Sequence, residues 1–381
     1  MSRTQVLDRI LQRLLPSFSR MSQLYFSFVV FILSWFSPNW LSWNKYSEGM
    51  LRALEKAILK YCKIPHRGFY VDIGPVVGPA DKIWTISMNT DSSNTPLVLL
   101  PGLGAGVAMW CLNLDAFAVT RPVYAIDPLG FGRSSRSPFS TNAMEAEKQM
   151  VRSIEEWRKE MKLQKFILLG HSMGGFIATS YAIDYPDHVQ HLILADPWGF
   201  PERPTNSKDV PLWVRSITYV LQPFNPLAGI RVAGPFGAWF INMVRPDISK
   251  KYSAALQDSH LIPQYIYQCN SQQPSGEAAF HTMMSGFGWA KNPMVKRIDK
   301  LRPDIPITLT YGSRTWIDHS AAEIIKDKRM DSYFKLQVIQ GAGHHIYADK
   351  PEQFNNVVRE ACRYTDTQKP KSRAIMPPES D

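Results

Sequence analysis

The stretch Lys165-Phe-Ile-Leu-Leu-Gly170-His171-Ser172-Met173-Gly174-Gly175-Phe176 decides how this chain must fold. Phe166–Leu169 reads as a short strand buried on both faces, and Phe176–Tyr185 reads as a helix. Between them, Gly170, Gly174 and Gly175 permit a turn tight enough to hold Ser172 in a strained conformation at the end of the strand. The N-terminus of the following helix then offers positive potential to a developing oxyanion. A G-x-S-x-G pattern alone arises by chance; between a strand and a helix it marks a nucleophile.

Working outward, similar apolar runs recur at Leu97–Leu100, Val123–Ile126, His191–Ala195, Ile307–Tyr311 and Leu336–Ile339. Helical patterns such as Ala143–Lys162 separate them. Buried strands alternating with helices predict an α/β fold around a mostly parallel sheet. The alternation lapses between about Gly199 and Leu301, which is rich in Pro, Trp and Phe without a clear strand. Residues 199–300 are therefore expected to form a helical lid inserted before the last strands, dividing the core into residues 68–198 and 301–366. The mixed-charge segment 367–381 is expected to be disordered.

A serine hydroxyl is a weak nucleophile and needs a base that is itself oriented by an acid. In a strand–elbow–helix sheet the chain order is Ser, acid, His. Gly341-Ala-Gly-His344-His345 follows the last strand, making His344 the candidate base and His345 the alternative. Asp318, after the strand Ile307–Tyr311, is the candidate acid. It stands further beyond Gly312 than the usual G-x-x-D spacing, where this chain has Thr315. Asp196, after His191–Ala195, is the other allowed position, and either carboxylate would also suit a helix cap. The backbone N–H groups of Met173 and of Leu103, in the glycine-rich loop Pro101–Gly106, are the candidate oxyanion donors. That loop lacks the Lys-Ser/Thr ending of a phosphate-binding loop and has no acidic ribose partner, which argues against a nucleotide site.

The composition, 45% hydrophobic and 20% charged over 381 residues, is that of an ordinary globular chain. Cys62, Cys111, Cys269 and Cys362 are scattered, which argues against a disulfide scaffold or zinc ribbon and for a reducing compartment. No metal site is expected. Of the net charge of +10, residues 1–67 carry +7, so the folded part has no basic body for nucleic acid.

The same N-terminal region holds the uncharged stretch Met21–Asn44, densest in apolar residues at Leu24–Phe36. As a helix that dense part spans roughly 20 Å, against about 30 Å for a hydrocarbon core. Pro38 then interrupts it, and Trp40 and Trp43 have the amphipathic rings that favour headgroup level. A monotopic anchor or shallow hairpin is the expectation, ahead of one transmembrane helix using the whole window. A cleaved signal peptide is disfavoured by the late start and the lack of a small-residue cleavage site. Residues 3–15 read as a basic amphipathic helix suited to an anionic membrane, to a mitochondrial transit peptide or to packing on the protein's own body. Residues 46–63 read as a further amphipathic helix, expected as a solvated spacer, so that residues 1–67 form the anchor.

Taken together these residues resemble the α/β-hydrolase fold family, and more narrowly the branch of α/β-hydrolase domain-containing proteins 4 and 5. Runs that carry the resemblance include Asp127-Pro-Leu-Gly-Phe-Gly-Arg-Ser-Ser135, Leu168–Gly175, Asp196-Pro-Trp-Gly-Phe-Pro-Glu-Arg-Pro204, Arg231-Val-Ala-Gly-Pro235, Trp316-Ile-Asp318 and His344-His-Ile-Tyr-Ala-Asp349. They span about residues 80–362, lid included. The resemblance implies one of two functional lines. Protein 4-like members are lipases of lysophospholipids and N-acyl phospholipids. Protein 5-like members, with Asn for the nucleophilic Ser, are lipid-droplet co-activators of a triglyceride lipase, with an attributed lysophosphatidic acid acyltransferase activity.

Ser172 aligns this chain with the first line, and His344-x4-Asp349 also fits the H-x4-D acyltransferase pattern. Asp349 better suits a carboxylate at the start of the last helix. One departure is Pro101, where the family usually has His before Gly. The expectation is a serine hydrolase of lysophospholipids or N-acyl phospholipids on the cytoplasmic face of membranes or on lipid droplets, with a mitochondrial surface as alternative. It needs no cofactor; acyl-CoA would be a co-substrate only for acyl transfer, and a triglyceride lipase a partner only for co-activation.

Overall fold

Strands β1 (His66–Gly74), β2 (Asp81–Met88), β3 (Leu97–Leu100), β4 (Val123–Ile126), β5 (Phe166–His171), β6 (Val189–Ala195), β7 (Ile307–Gly312) and β8 (Phe334–Ile339) form one sheet. Their order is β1-β2-β4-β3-β5-β6-β7-β8. The computed structural model describes residue 43 and residues 45–203, 227–258, 260–286 and 288–368. The expected amphipathic helix 3–15 and the apolar stretch up to residue 42 lie outside these residues.

From β4 to β8 all neighbours are parallel, as expected of strands buried on both faces. Alternate residues of a single strand serve two cores: Leu97 and Leu99 face one, Val98 and Leu100 the other. Helices α2 (Ala143–Glu160) and α3 (Met173–Asp184) line the second core, with Trp157, Phe176 and Tyr181 fully buried. Asn142 caps α2 through hydrogen bonds from the N–H groups of Met144 and Glu145.

The antiparallel β1–β2 pair, with β2 also antiparallel to β4, makes the sheet mixed at one edge. Residues 46–63 are not a solvated spacer. Helix α1 (Glu48–Leu59) buries Leu51, Leu54, Ile58 and Leu59 in the first core, and Glu55 accepts from Trp84 Nε1 and Arg133 at 3.0 and 2.8 Å. Its apolar stripe packs the helix onto the body.

Between β6 and β7 the described residues are mostly helical: α4 (Gly237–Val244), α5 (Pro246–Tyr252), α6 (Leu261–Asn270) and α7 (Gly276–Met283). A two-residue ladder, Met284–Ser285 with Trp289–Ala290, is the one strand pair described there. Helix α8 (Ser320–Lys328) lies between β7 and β8, and α9 (Pro351–Thr367) closes the chain, reaching the first residue of the segment expected to be disordered. Residues 369–381 lie outside the described residues. Among the described residues no helix is long and apolar enough to cross a membrane.

Candidate active site

Ser172 follows β5 with φ +52°, a left-handed conformation that a serine adopts only when its surroundings impose it. Its N–H donates to Ala195 O at 3.1 Å, and its carbonyl accepts from Gly175, Phe176 and Trp198. The elbow needs its glycines. A Cβ on Gly170 would stand 2.3 Å from the Gly174 carbonyl oxygen, and one on Gly174 would stand 2.4 Å from that of Leu100.

The parallel register next fixes which carboxylate is near. His171 pairs with Ala195 across β5 and β6, so Ser172 and Asp196 leave the sheet as neighbours. Asp196 is itself left-handed, φ +47°, and its N–H donates to Thr310 O of β7 at 2.7 Å. From the far side, the turn after β8 closes over Gly312 so tightly that a Cβ there would meet the Gly343 oxygen at 2.3 Å. This closure delivers His344 between the two.

Ser172 Oγ donates to His344 Nε2 at 2.9 Å, and His344 Nδ1–H donates to Asp196 Oδ2 at 2.5 Å. Burial, reinforced by the Arg245 and Lys251 cations from the chain between β6 and β7, pulls the His344 imidazole well below its ordinary range. Its Nε2 is therefore free to accept the serine proton. Burial pushes the Asp196 carboxyl up, opposed by the Thr315 hydroxyl at 2.5 Å and the Gly312 N–H at 3.3 Å. With the imidazole, three donors meet one carboxylate, which favours its charged form.

Asp318, the carboxylate favoured from the sequence, is not the partner of His344. It is exposed and accepts from the Ser320 N–H and hydroxyl at 3.0 and 2.9 Å, at the start of α8. The departure from G-x-x-D spacing has a physical meaning: Thr315 occupies the usual acid position and hydrogen-bonds the acid that comes from β6 instead. His345 is half-buried and makes no hydrogen bond to Ser172 among the described residues, and desolvation pulls its imidazole well down. The structure brings His344, not its neighbour, to the serine.

Asp349 does not touch the His344 ring among the described hydrogen bonds and ion pairs. It accepts the Gly343 N–H at 2.8 Å and pairs with Lys251 of α5 at 3.2 Å. Its carboxylate ties helix α5 to the turn that carries His344.

The loop Pro101–Gly106 lies directly on the nucleophile. A Cβ on Gly102 would stand 2.7 Å from His171 Nδ1 and 3.0 Å from Ser172 Cβ, so the approach depends on glycine. Pro101 is accommodated: its own carbonyl flanks Gly174, and Ala105 N–H closes a turn on Gly102 O at 3.2 Å. The Leu103 and Met173 N–H groups have no hydrogen-bond partner among the described residues.

His171, the middle residue of Gly-His-Ser, was not assigned a role from sequence. Its Nε2 donates to the His344 carbonyl at 3.0 Å, and burial pulls its pKa down to about 3, which keeps the ring neutral. It thus fixes the backbone of the base; its place inside the elbow motif was the only signal. Trp316, half-exposed, lies over the His344 ring with centroids 5.1 Å apart. A cleft of about 490 Å³ lined by Ser92, Asn94, Lys165 and Gln190 sits at the opposite, N-terminal ends of the strands and takes no part in this arrangement.

Residues 95–351 match the family model for the alpha/beta hydrolase fold. The chain belongs to the α/β-hydrolase fold family. Within it, the chain is 48% identical to 1-acylglycerol-3-phosphate O-acyltransferase ABHD5 of Sus scrofa over 325 residues, 84% of this chain and 91% of the relative. It is 47% identical to (lyso)-N-acylphosphatidylethanolamine lipase of Homo sapiens over 336 residues, 87% of this chain and 97% of the relative. Both relatives are of the α/β-hydrolase branch to which the sequence motifs pointed. Among solved structures, naproxen esterase from Bacillus subtilis superposes with a TM-score of 0.58 at 16% identity, covering 83% of this chain and 99% of that one. A bacterial membrane phospholipase A superposes with a TM-score of 0.56 at 16% identity, covering 91% and 97%.

Proposed function

We propose that this α/β-hydrolase is a serine lipase that cleaves fatty acyl esters of lysophospholipids and N-acyl phospholipids at a membrane or lipid-droplet surface facing the cytoplasm. The observation that carries the reading is the unbroken relay Ser172–His344–Asp196 at 2.9 and 2.5 Å. The likeness to a lipase of N-acyl phospholipids supports the substrate class.

Ser172 Oγ attacks the ester carbonyl carbon as its proton passes to His344 Nε2. Asp196 stabilises the imidazolium that forms and holds its tautomer. The Leu103 and Met173 N–H groups receive the tetrahedral oxyanion, each worth about 3–4 kcal/mol in a site closed to water. The tetrahedral intermediate collapses with cleavage of the acyl C–O bond, and His344 returns the proton to the departing alcohol. A water then repeats the sequence on the acyl-serine and releases the fatty acid. No step calls for a cofactor.

Acyl transfer to lysophosphatidic acid is the second reading, since a relative bears that name. In it an acceptor hydroxyl replaces water, with acyl-CoA as donor. Asp349 gives it little support, because that carboxylate is committed to Gly343 and Lys251.

The test is labelling by a fluorophosphonate probe together with a lipid panel, with and without acyl-CoA. Wild type should label and release fatty acid without acyl-CoA. Ser172→Ala should fold and lose both. Label retained at another serine, or product only with acyl-CoA, would overturn the reading.

A further inference from the structure

Helix α4 divides its side chains sharply. Gly237 packs against the Tyr267 ring, where a Cβ would stand 2.2 Å from a ring carbon, and Ile241 joins the first core. On the other side Phe236, Trp239, Met243 and Val244 are 58%, 54%, 37% and 41% exposed. They stand three, seven and eight positions on from Phe236, a single stripe along the helix and its leading residue. Scattered exposed apolar residues mean little; a contiguous patch of large ones marks an interaction surface.

Trp43 extends the patch from far away in sequence. Its Nε1–H donates to Val232 O at 2.7 Å, and its ring covers Gly234, two residues before Phe236, so closely that a Cβ there would stand 2.4 Å away. Trp43 is itself 39% exposed. In the sequence it stands one residue before the end of the uncharged stretch Met21–Asn44. Lys45, two residues after Trp43, supplies a cation at the edge of the patch, whereas Arg245, after Val244, is held by Asp247 at 2.9 and 3.0 Å.

We infer that the face formed by Trp43 and the outer stripe of α4 is the surface by which this protein rests on a phospholipid membrane. Tryptophan, phenylalanine and methionine would enter the headgroup boundary, and Lys45 would meet lipid phosphates. The proposal rests on the lipase reading for its choice of partner. It goes further in naming the lid, not the N-terminal segment alone, as the contact. Since α5 follows α4 and Lys251 of α5 pairs with Asp349, this contact places the lipid surface on the outside of the element that touches the turn bearing His344.

The experiment uses the full chain and flotation with phosphatidylcholine vesicles containing phosphatidylserine. Phe236→Ser with Trp239→Ser should weaken partitioning about tenfold or more, from the apolar area withdrawn. Trp239→Phe should stay within about twofold of wild type. Unchanged far-ultraviolet circular dichroism and thermal midpoint establish that the variants fold. Equal flotation of wild type and the double-serine variant would overturn the inference, as would failure of wild type to float. A change of oligomeric state without a change in flotation would make the patch a protein contact and overturn it equally. Fluorophosphonate labelling, run in parallel without vesicles, reports on the lipase reading separately.

Discussion

Asp196 and Asp318 both follow strands of the same sheet, both lie between the serine and the histidine in the chain, and only one reaches the imidazole. Asp196 leaves β6 in a left-handed conformation, wholly buried, with Thr315 and Gly312 supplying donors. Asp318 stands in water and accepts from the Ser320 N–H and hydroxyl, just ahead of a helix. Position along the chain admits both. What separates them is register: β6 pairs directly with the nucleophile strand, whereas Asp318 lies six residues beyond the end of β7 and turns its carboxylate to Ser320. A catalytic carboxylate is recognised by its donors and its burial more than by its order in the sequence.

The contrast is easily broken if wrong. Asp196→Asn preserves shape and the left-handed backbone but removes the charge that holds the imidazole tautomer, and kcat should fall by about 10⁴-fold. Asp318→Asn should leave kcat/KM within about twofold, its loss being a fraction of a helix cap. Reversal of these two results would return the acid to the β7 loop. Thr315→Val removes one donor from Asp196 while keeping the volume, and a fall in kcat of about tenfold is expected from a hydrogen bond to a charged group.

The smallest effect sharpens the electrostatics. Because the His344 pKa is depressed, the acid limb of kcat/KM should lie below the ordinary histidine value of about 6.5, activity falling only as pH drops through that lower value. Lys251→Met withdraws a cation that disfavours imidazolium, so the limb should move upward by a fraction of a pH unit. An unmoved limb would show that the Lys251 charge does not reach the imidazole.

Much of this was legible in residues alone. Strands β3 to β7 bury both faces and so read as unbroken apolar runs, as at Leu97–Leu100 and Val123–Ile126. The β1–β2 hairpin escaped notice because β1 buries only Val71 and Ile73, with Asp72 exposed between them and His66, Arg67 and Gly68 exposed at its start. Helix α1 showed its apolar stripe, yet its partner α6 begins more than two hundred residues later, so nothing local revealed whether the stripe was covered. Ser172 and His344 announced themselves through glycine-rich turns. The acid did not, because its role is created by strand pairing and by a threonine in another loop. The reading of Asp349 failed to separate a catalytic pair from a tether for the same reason: Lys251 comes from the insertion.

The siting of Asp196 on β6 has one more consequence. Nucleophile and acid both belong to the continuous β5–α3–β6 unit, complete before the first residue of the insertion is reached. A ribosome finishes that unit early, and evolution can exchange or enlarge the intervening hundred-residue cap without disturbing how those two side chains are spaced. The imidazole and the Thr315 and Gly312 donors that hold the acid come from the carboxyl-terminal part, so the site is whole only once β7 and the turn after β8 have joined that unit.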